Sequence, residues 1–327
     1  MITKLKYECS SDYLKHRESI LELHKRNAGR VSEKLYDSLY IGNPYGDPLL
    51  GFCFDGHKLV GQENYVRQNV ASNGLMCRSA IGINTIVDSN YRVFYGIFKE
   101  LIKLTMNKMK EDTDFLCAHA NEESQRYYMK YFNWRISSKV QVYKKVIGYS
   151  GLSPESFLTL VKPGRLNKDF ALIEVTQFDP KVLNEILENH LEFSRYCYFH
   201  KTAEFINWKF LNNKHYELKG YAIEYQGVVR GYVVTYDDGI ELKIADFVIE
   251  HDDTKVFGMA ISALAYIGSK REKKRLVIYA TPNCWYLDTL KKQMFIRRWD
   301  LDFITASLNK EPNSQNWIVQ IGDFDIL

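Results

Sequence analysis

Apolar and polar residues alternate along KLVGQENYVR (58–67) and VVRGYVVTY (228–236), the period-two spacing that sends successive side chains to opposite faces of a strand. Each run follows an earlier apolar run and a turn carrying Gly56 or Gly227. Each therefore predicts an antiparallel hairpin whose second strand ends at Gly61 or Gly231. A different period governs LKYECSSDYLKHRESILELHKRN and FALIEVTQFDPKVLNEILENHLEFS. In both, a short strand precedes apolar residues spaced every three or four positions, the mark of a helix with one buried face.

These similarities form a repeat. Residues 35–61 overlay residues 205–231 with a constant offset of 170, pairing Asn43 with Asn213 and Gly61 with Gly231. Further on, DFLCAHANEESQRYYMKYFNWR overlays KRLVIYATPNCWYLDTLKKQMFIRR at an offset of 162, pairing Asn121 with Asn283. Each half reads strand, helix or helices, hairpin, strand, amphipathic helix, strand, helix, strand. The predicted class is α+β, with two tandem domains, each a mixed, largely antiparallel sheet flanked by helices. The Ser/Pro/Gly cluster and Pro-Gly break in VIGYSGLSPESFLTLVKPGRLNKDF place the boundary so that the domains span 1–154 and 155–327. Two unrelated α+β domains that share hairpins are the alternative.

Length agrees, since 327 residues exceed what one core holds and suit two domains of roughly 150 residues. A formal charge of +4 is too small to argue for nucleic acid. The six cysteines are scattered without a CxxC pair or a histidine at zinc-ligand spacing, which predicts reduced, mostly buried thiols and no metal. Neither an apolar signal core nor a run of about 18 apolar residues is visible, so no membrane insertion and a cytoplasmic location are expected. The 23 Tyr and 18 Phe raise the aromatic share to 14%, enough to line pockets as well as cores.

Where the extended GINTIVDS meets the helical NYRVFYGIFKEL, Gly96 sits at the helix entrance. A glycine costs about 1 kcal/mol relative to alanine inside a helix. At its start the balance changes, because a helix N-terminus offers unpaired N–H groups and a positive dipole end to an anion. Without a Cβ, the backbone there can approach phosphate oxygens.

The segments TIVDSNYRVFYGIFKELIKLTMNKMK and FLCAHANEESQRYYMKYFNWR resemble the strand, loop, helix, strand, helix motif of the GCN5-related N-acetyltransferases (GNAT). The resemblance covers nearly the whole chain, twice, with the family's spaced glycines reduced here to Gly96. It implies that the first half binds the coenzyme A of an acyl-CoA donor through Val87, Arg92, Gly96, Ile97, Phe98, Asn121 and Tyr127. It implies further that Tyr128 protonates the departing thiolate; in the plain alternative, Tyr127 and Tyr128 are packing residues of an amphipathic helix. In the second half, VIEHDDTKVFGMA puts Glu250, Asp252 and Asp253 where the pyrophosphate would lie, and Leu290 replaces Tyr128. Repulsion by those acids implies that only the first half holds acyl-CoA, while the second shapes the acceptor pocket.

The stretch RYCYFHKTAEFINWKF supplies Arg195, His200, Lys201 and Trp208, basic and aromatic groups suited to a nucleotide and a sugar. Asp246 is the candidate base for the attacking amine; a partnered structural aspartate is the alternative. Tandem GNAT chains of this length resemble sugar N-acyltransferases of bacterial surface-polysaccharide pathways (O-antigen, capsule). The implied partner is a nucleotide-linked, dTDP-bound 3-amino-3,6-dideoxyhexose, and the implied assembly a monomer or homodimer. An aminoacyl-tRNA-dependent transferase of the peptidoglycan-bridge type and a catalytically silent binding protein are the rivals.

Overall fold

The computed structural model describes residues 5–29, 32–72, 74–92, 96–148, 169–310 and 316–324. It divides into two compact units: residues 1–70, 77–136 and 303–312 form unit 1, and residues 71–76, 137–302 and 313–327 form unit 2. The cut expected at 154/155 falls in 149–168, outside the described residues. The segments interleave, so each unit borrows a strand from the other half of the sequence.

Unit 1 runs β1 (Leu5–Ser10), α1 (Tyr13–Ala28), α2 (Glu33–Tyr40), β2 (Leu49–Asp55), β3 (Lys58–Ser72), β4 (Leu75–Val87), α3 (Gly96–Met109), β5 (Phe115–Ala118) and α4 (Glu122–Phe132). Its strands are ordered β1-β2-β3-β4-β5. Strands β1 and β2, and β2 and β3, pair antiparallel, whereas β4 and β5, on either side of α3, pair parallel. Unit 2 repeats the scheme after β6 (Arg135–Val146): β7 (Phe170–Val175), α5 (Pro180–Phe193), β8 (Cys197–His200), α6 (Ala203–Ile206), β9 (Leu218–Tyr225), β10 (Val228–Asp238), β11 (Glu241–Ile249), α7 (Thr254–Lys270), β12 (Arg275–Ala280), α8 (Leu287–Lys292), β13 (Ile296–Ser307) and β14 (Trp317–Ile318). Again the strands around the long helix, β11 and β12, pair parallel, as do the short β8 and β14. Beyond each parallel pair the next strand is a borrowed one: Ile304–Ser307 of β13 pairs with β5 in unit 1, and β6 pairs with β12 in unit 2.

Helix α3 lies on the sheet through Ile97, Leu101, Ile102, Thr105 and Met109, a one-sided stripe whose apolar members each contribute about 1.5–3 kcal/mol when buried. The strands do not end at Gly61 and Gly231; both glycines sit at β-bulges inside strands that continue to Ser72 and Asp238. Each is required by close approach. A Cβ on Gly61 would lie 2.9 Å from Ile97 of α3, and one on Gly231 (φ 156°) only 2.1 Å from the Val248 carbonyl. The six cysteines are free, four of them buried. No described helix is long and apolar enough to cross a membrane.

Candidate functional site

In unit 1, β4 and β5 stay paired only from Ser79↔Phe115 to Gly82↔Ala118. Two residues beyond, Asn84 adopts a left-handed backbone (φ 54°), held by Gln62 Nε2 donating to its carbonyl (2.8 Å) and by its own amide donating to the Tyr40 hydroxyl (3.0 Å). The next three residues, Thr85, Ile86 and Val87, line a cavity of about 280 Å³ together with Arg92, Phe98, Asn121, Glu123, Ser124 and Tyr127. The cleft therefore opens where β4 runs on past the end of β5 at Ala118, at the foot of a helix.

The loop that leads into α3 is pinned from below. Asp88 accepts from Asn90 N and pairs with Arg26 and Lys58. Burial opposes its charge, but these donors hold its carboxyl below the usual range. Arg92 Nε donates to the Val87 carbonyl (3.0 Å). Gly96 is the first residue of α3, and a Cβ there would meet nothing within 4 Å among the described residues. Asn121 caps α4, its Oδ1 accepting from Ser124 N (2.9 Å). A wider opening of about 890 Å³ shares Asn121, Glu123 and Tyr127 with the cavity and adds Glu122, Arg126, Lys130 and Tyr131, with Arg126 paired to Glu122. There Tyr127 stacks at 4.6 Å on Tyr131, which lies under Lys99 and Lys130.

Behind the cavity wall lies Glu63 of β3, with no exposed surface. Thr85 Oγ1 donates to its Oε2 (2.5 Å) and the Tyr128 hydroxyl to its Oε1 (2.7 Å). Burial raises the Glu63 carboxyl above the usual range, and the two hydroxyl donors oppose that rise.

No family model matches the chain, and no curated protein sequence matches it. Solved structures do. A GCN5-related N-acetyltransferase from Anabaena variabilis superposes with a TM-score of 0.67 at 13% identity, over 93% of this chain and 73% of that one. A GCN5-related N-acetyltransferase from Kribbella flavida gives 0.67 at 12%, over 93% and 72%. The N-myristoyltransferase of Saccharomyces cerevisiae, with bound myristoyl-CoA, gives 0.63 at 10%, over 100% and 90%. The chain has the GNAT fold. At these identities the likeness is one of fold, and what the GNAT cleft does here has to be argued from its residues.

Of the residues expected to hold a cofactor, Val87, Arg92, Phe98, Asn121 and Tyr127 line the GNAT cleft and Gly96 opens α3. Ile97 instead packs inward among Cys53, Val60 and Leu101. Tyr128 is 3% exposed, its ring in the core beside Trp134. Its hydroxyl stands 3.4 Å from Thr85 Oγ1, so of this trio Thr85 is the member on the cleft wall. The expected acceptor residues belong to unit 2. There Asp246 and Lys201 are buried and paired at 3.2 Å, and Lys201 also donates to Asp323 (2.6 Å). His200 is buried, Arg195 exposed, and Trp208 partly buried against Phe205.

Sequence reading missed Thr85, Ile86 and Ser124 on the wall and Glu63 behind it. The signal for Glu63 was present, since Gln62, Glu63 and Asn64 place three polar residues in a row within a strand that is buried on both faces. Such a run has to be paired or functional.

Proposed function

We propose that this protein is an acyl-CoA-dependent N-acyltransferase whose donor site is the cleft of unit 1, and that its acceptor is the amino group of a nucleotide-linked sugar, a dTDP-linked 3-amino-3,6-dideoxyhexose. The observation that carries the reading is the cleft beside the unpaired end of β4, Thr85–Val87, which lies next to the starts of α3 and α4. Anionic oxygens of a diphosphate suit a helix start of this kind, and an extended thioester arm suits the space along the unpaired end of β4. Phe98, Ile86 and Val87 offer it apolar walls, and the polar atoms of Asn121 and Ser124 serve its amides. The wider opening, with Tyr131 and its lysines, suits an aromatic base and further phosphate. The S. cerevisiae enzyme solved with myristoyl-CoA supports a CoA thioester as the donor class for the fold.

The choice of acceptor rests on the resemblance of the sequence motifs to sugar N-acyltransferases. Lys201, already shared by two carboxylates, is not available to a phosphate in this reading. Because the donor is a cytoplasmic metabolite, we place the reaction in the cytoplasm. A screen of dTDP- and UDP-linked amino sugars against several acyl-CoAs, followed by release of free thiol, tests the proposal. Turnover with a dTDP-linked 3-amino sugar supports it. Thiol release with none of the amines rules it out.

A further inference from the structure

An amine that attacks a thioester must shed a proton, and an amine of pKa about 8 is largely protonated at neutral pH. Glu123, the one carboxylate lining the cleft among the described residues, sits exposed in the first turn of α4. Glu63, one layer behind, is of another kind. It is fully buried, and no lysine, arginine or histidine pairs with it among the described residues. Taking an unpaired carboxylate out of water costs several kcal/mol, which an apolar residue in a buried strand would avoid. That cost is borne at a position joined to the cleft by one atom: Thr85 lines the cavity, and its Oγ1 lies 2.5 Å from Glu63 Oε2.

Resting on the N-acyltransferase reading above, we propose that Glu63 is the proton acceptor of the transfer and that Thr85 conducts the proton to it. The lone pair of the neutral amine bonds to the thioester carbonyl carbon, giving a tetrahedral intermediate with a positively charged nitrogen. One N–H proton passes to Thr85 Oγ1 as the hydroxyl's own proton passes to Glu63 Oε2. The C–S bond breaks with its electron pair on sulfur, the amide forms, and the proton returns through Thr85 to the thiolate. Coenzyme A leaves as the thiol and Glu63 is again a carboxylate. Tyr128, 2.7 Å from Oε1, is a positioning residue that holds the carboxylate toward Thr85. The titratable groups facing Glu63 are Tyr65 and Tyr128, both held well above the ordinary tyrosine range, chiefly by burial, so neither gives a rate limb near neutrality.

The test compares wild type with Glu63→Gln, Thr85→Val and Thr85→Ser, each close in shape to the native residue, using acetyl-CoA and the amine the wild type acylates best. The expected result is a fall in kcat/KM of about 10²-fold or more in Glu63→Gln and Thr85→Val, and loss of the acidic limb of the pH profile in Glu63→Gln. Thr85→Ser recovers activity relative to Thr85→Val, and acetyl-CoA binding by calorimetry stays unchanged in Glu63→Gln, whose side chain lies behind the cleft wall. The Glu63→Gln/Thr85→Val double variant is no slower than either single variant, as for two parts of one route. An active wild type whose rate and acidic limb survive in Glu63→Gln overturns the proton route alone, as does a Glu63→Gln protein that no longer binds acetyl-CoA. A wild type inert toward every amine overturns the N-acyltransferase reading beneath it.

Discussion

The two units place a cavity at the same point of the same fold and treat it differently. In unit 1 the end of β4 opens on about 280 Å³. In unit 2 the end of β11, Phe247 to Ile249, opens on only about 20 Å³, room for about one water. Aromatic rings fill the difference, with Phe247, Trp285 and Tyr286 packed at 5.1–6.3 Å, and a buried ion pair of Lys201 with Asp246 and Asp323 closes the floor. The helix starts differ too. Asp253 caps α7 with its own carboxylate, accepting from Lys255 N and Val256 N, so these amides are already satisfied. Glu250, expected to repel a diphosphate, is paired with Arg230 (2.7 Å). The same fold leaves a gap at this point in each unit; whether it is a site depends on what the side chains leave empty.

The comparison can be broken at several points. The largest effect is expected from Lys201→Met, which leaves Asp246 and Asp323 buried without their cation and costs about 3–5 kcal/mol of stability in chemical denaturation. If unit 2 is a filled site, coenzyme A binding measured well below the melting transition does not change; weakened binding would show that Lys201 serves the ligand. Gly96→Glu sets a carboxylate at the start of α3, and like-charge juxtaposition of several kcal/mol weakens acyl-CoA binding by about 10²-fold while leaving the fold intact. Affinity equal to wild type would remove α3 from the donor site.

A smaller effect is expected from Asp252→Asn. Asp252 lies 3.8 Å from His190 Nδ1; burial pushes its carboxyl up to about 7 and the histidine down to about 4. A carboxyl raised in the folded state binds its proton more tightly there than in the unfolded chain, so its contribution is full below about pH 4 and lost as pH rises through about 7. Asparagine also suits the left-handed backbone at this position (φ 53°). The variant should gain about 1–2 kcal/mol over wild type at mildly basic pH and nothing near pH 4. A gain independent of pH would show that charge is not the cause.

Much of the fold was legible because local periods decide it. The helix faces of α1, α3 and α5, the hairpins at Gly56 and Gly227, and the order of elements in the first half follow from spacing within about ten residues; in the second half β8 and β14 were not foreseen. The exchange of strands was not legible, since the pairing of β13 with β5 and of β6 with β12 joins segments more than a hundred residues apart. Gly61 and Gly231 were read as ends because a glycine in a strand can mark a stop or a bulge, and only the approach of α3 or of β11 decides between them. On the cleft wall, Val87, Arg92, Phe98, Asn121 and Tyr127 could be named from the motif. The polar run at 62–64 singles out Glu63, but its link to the cleft depends on Thr85 of the neighbouring strand, and Asp246 and Lys201 carry charges whose mutual pairing no local pattern reveals.

The most direct measurement is a crystal structure of the chain soaked with coenzyme A. The account predicts the pantetheine arm between Thr85–Val87 and α4, with the diphosphate at the start of α3 and the cavity of unit 2 closed by its aromatic rings. Density for the ligand at the end of β11, or at neither place, would contradict it.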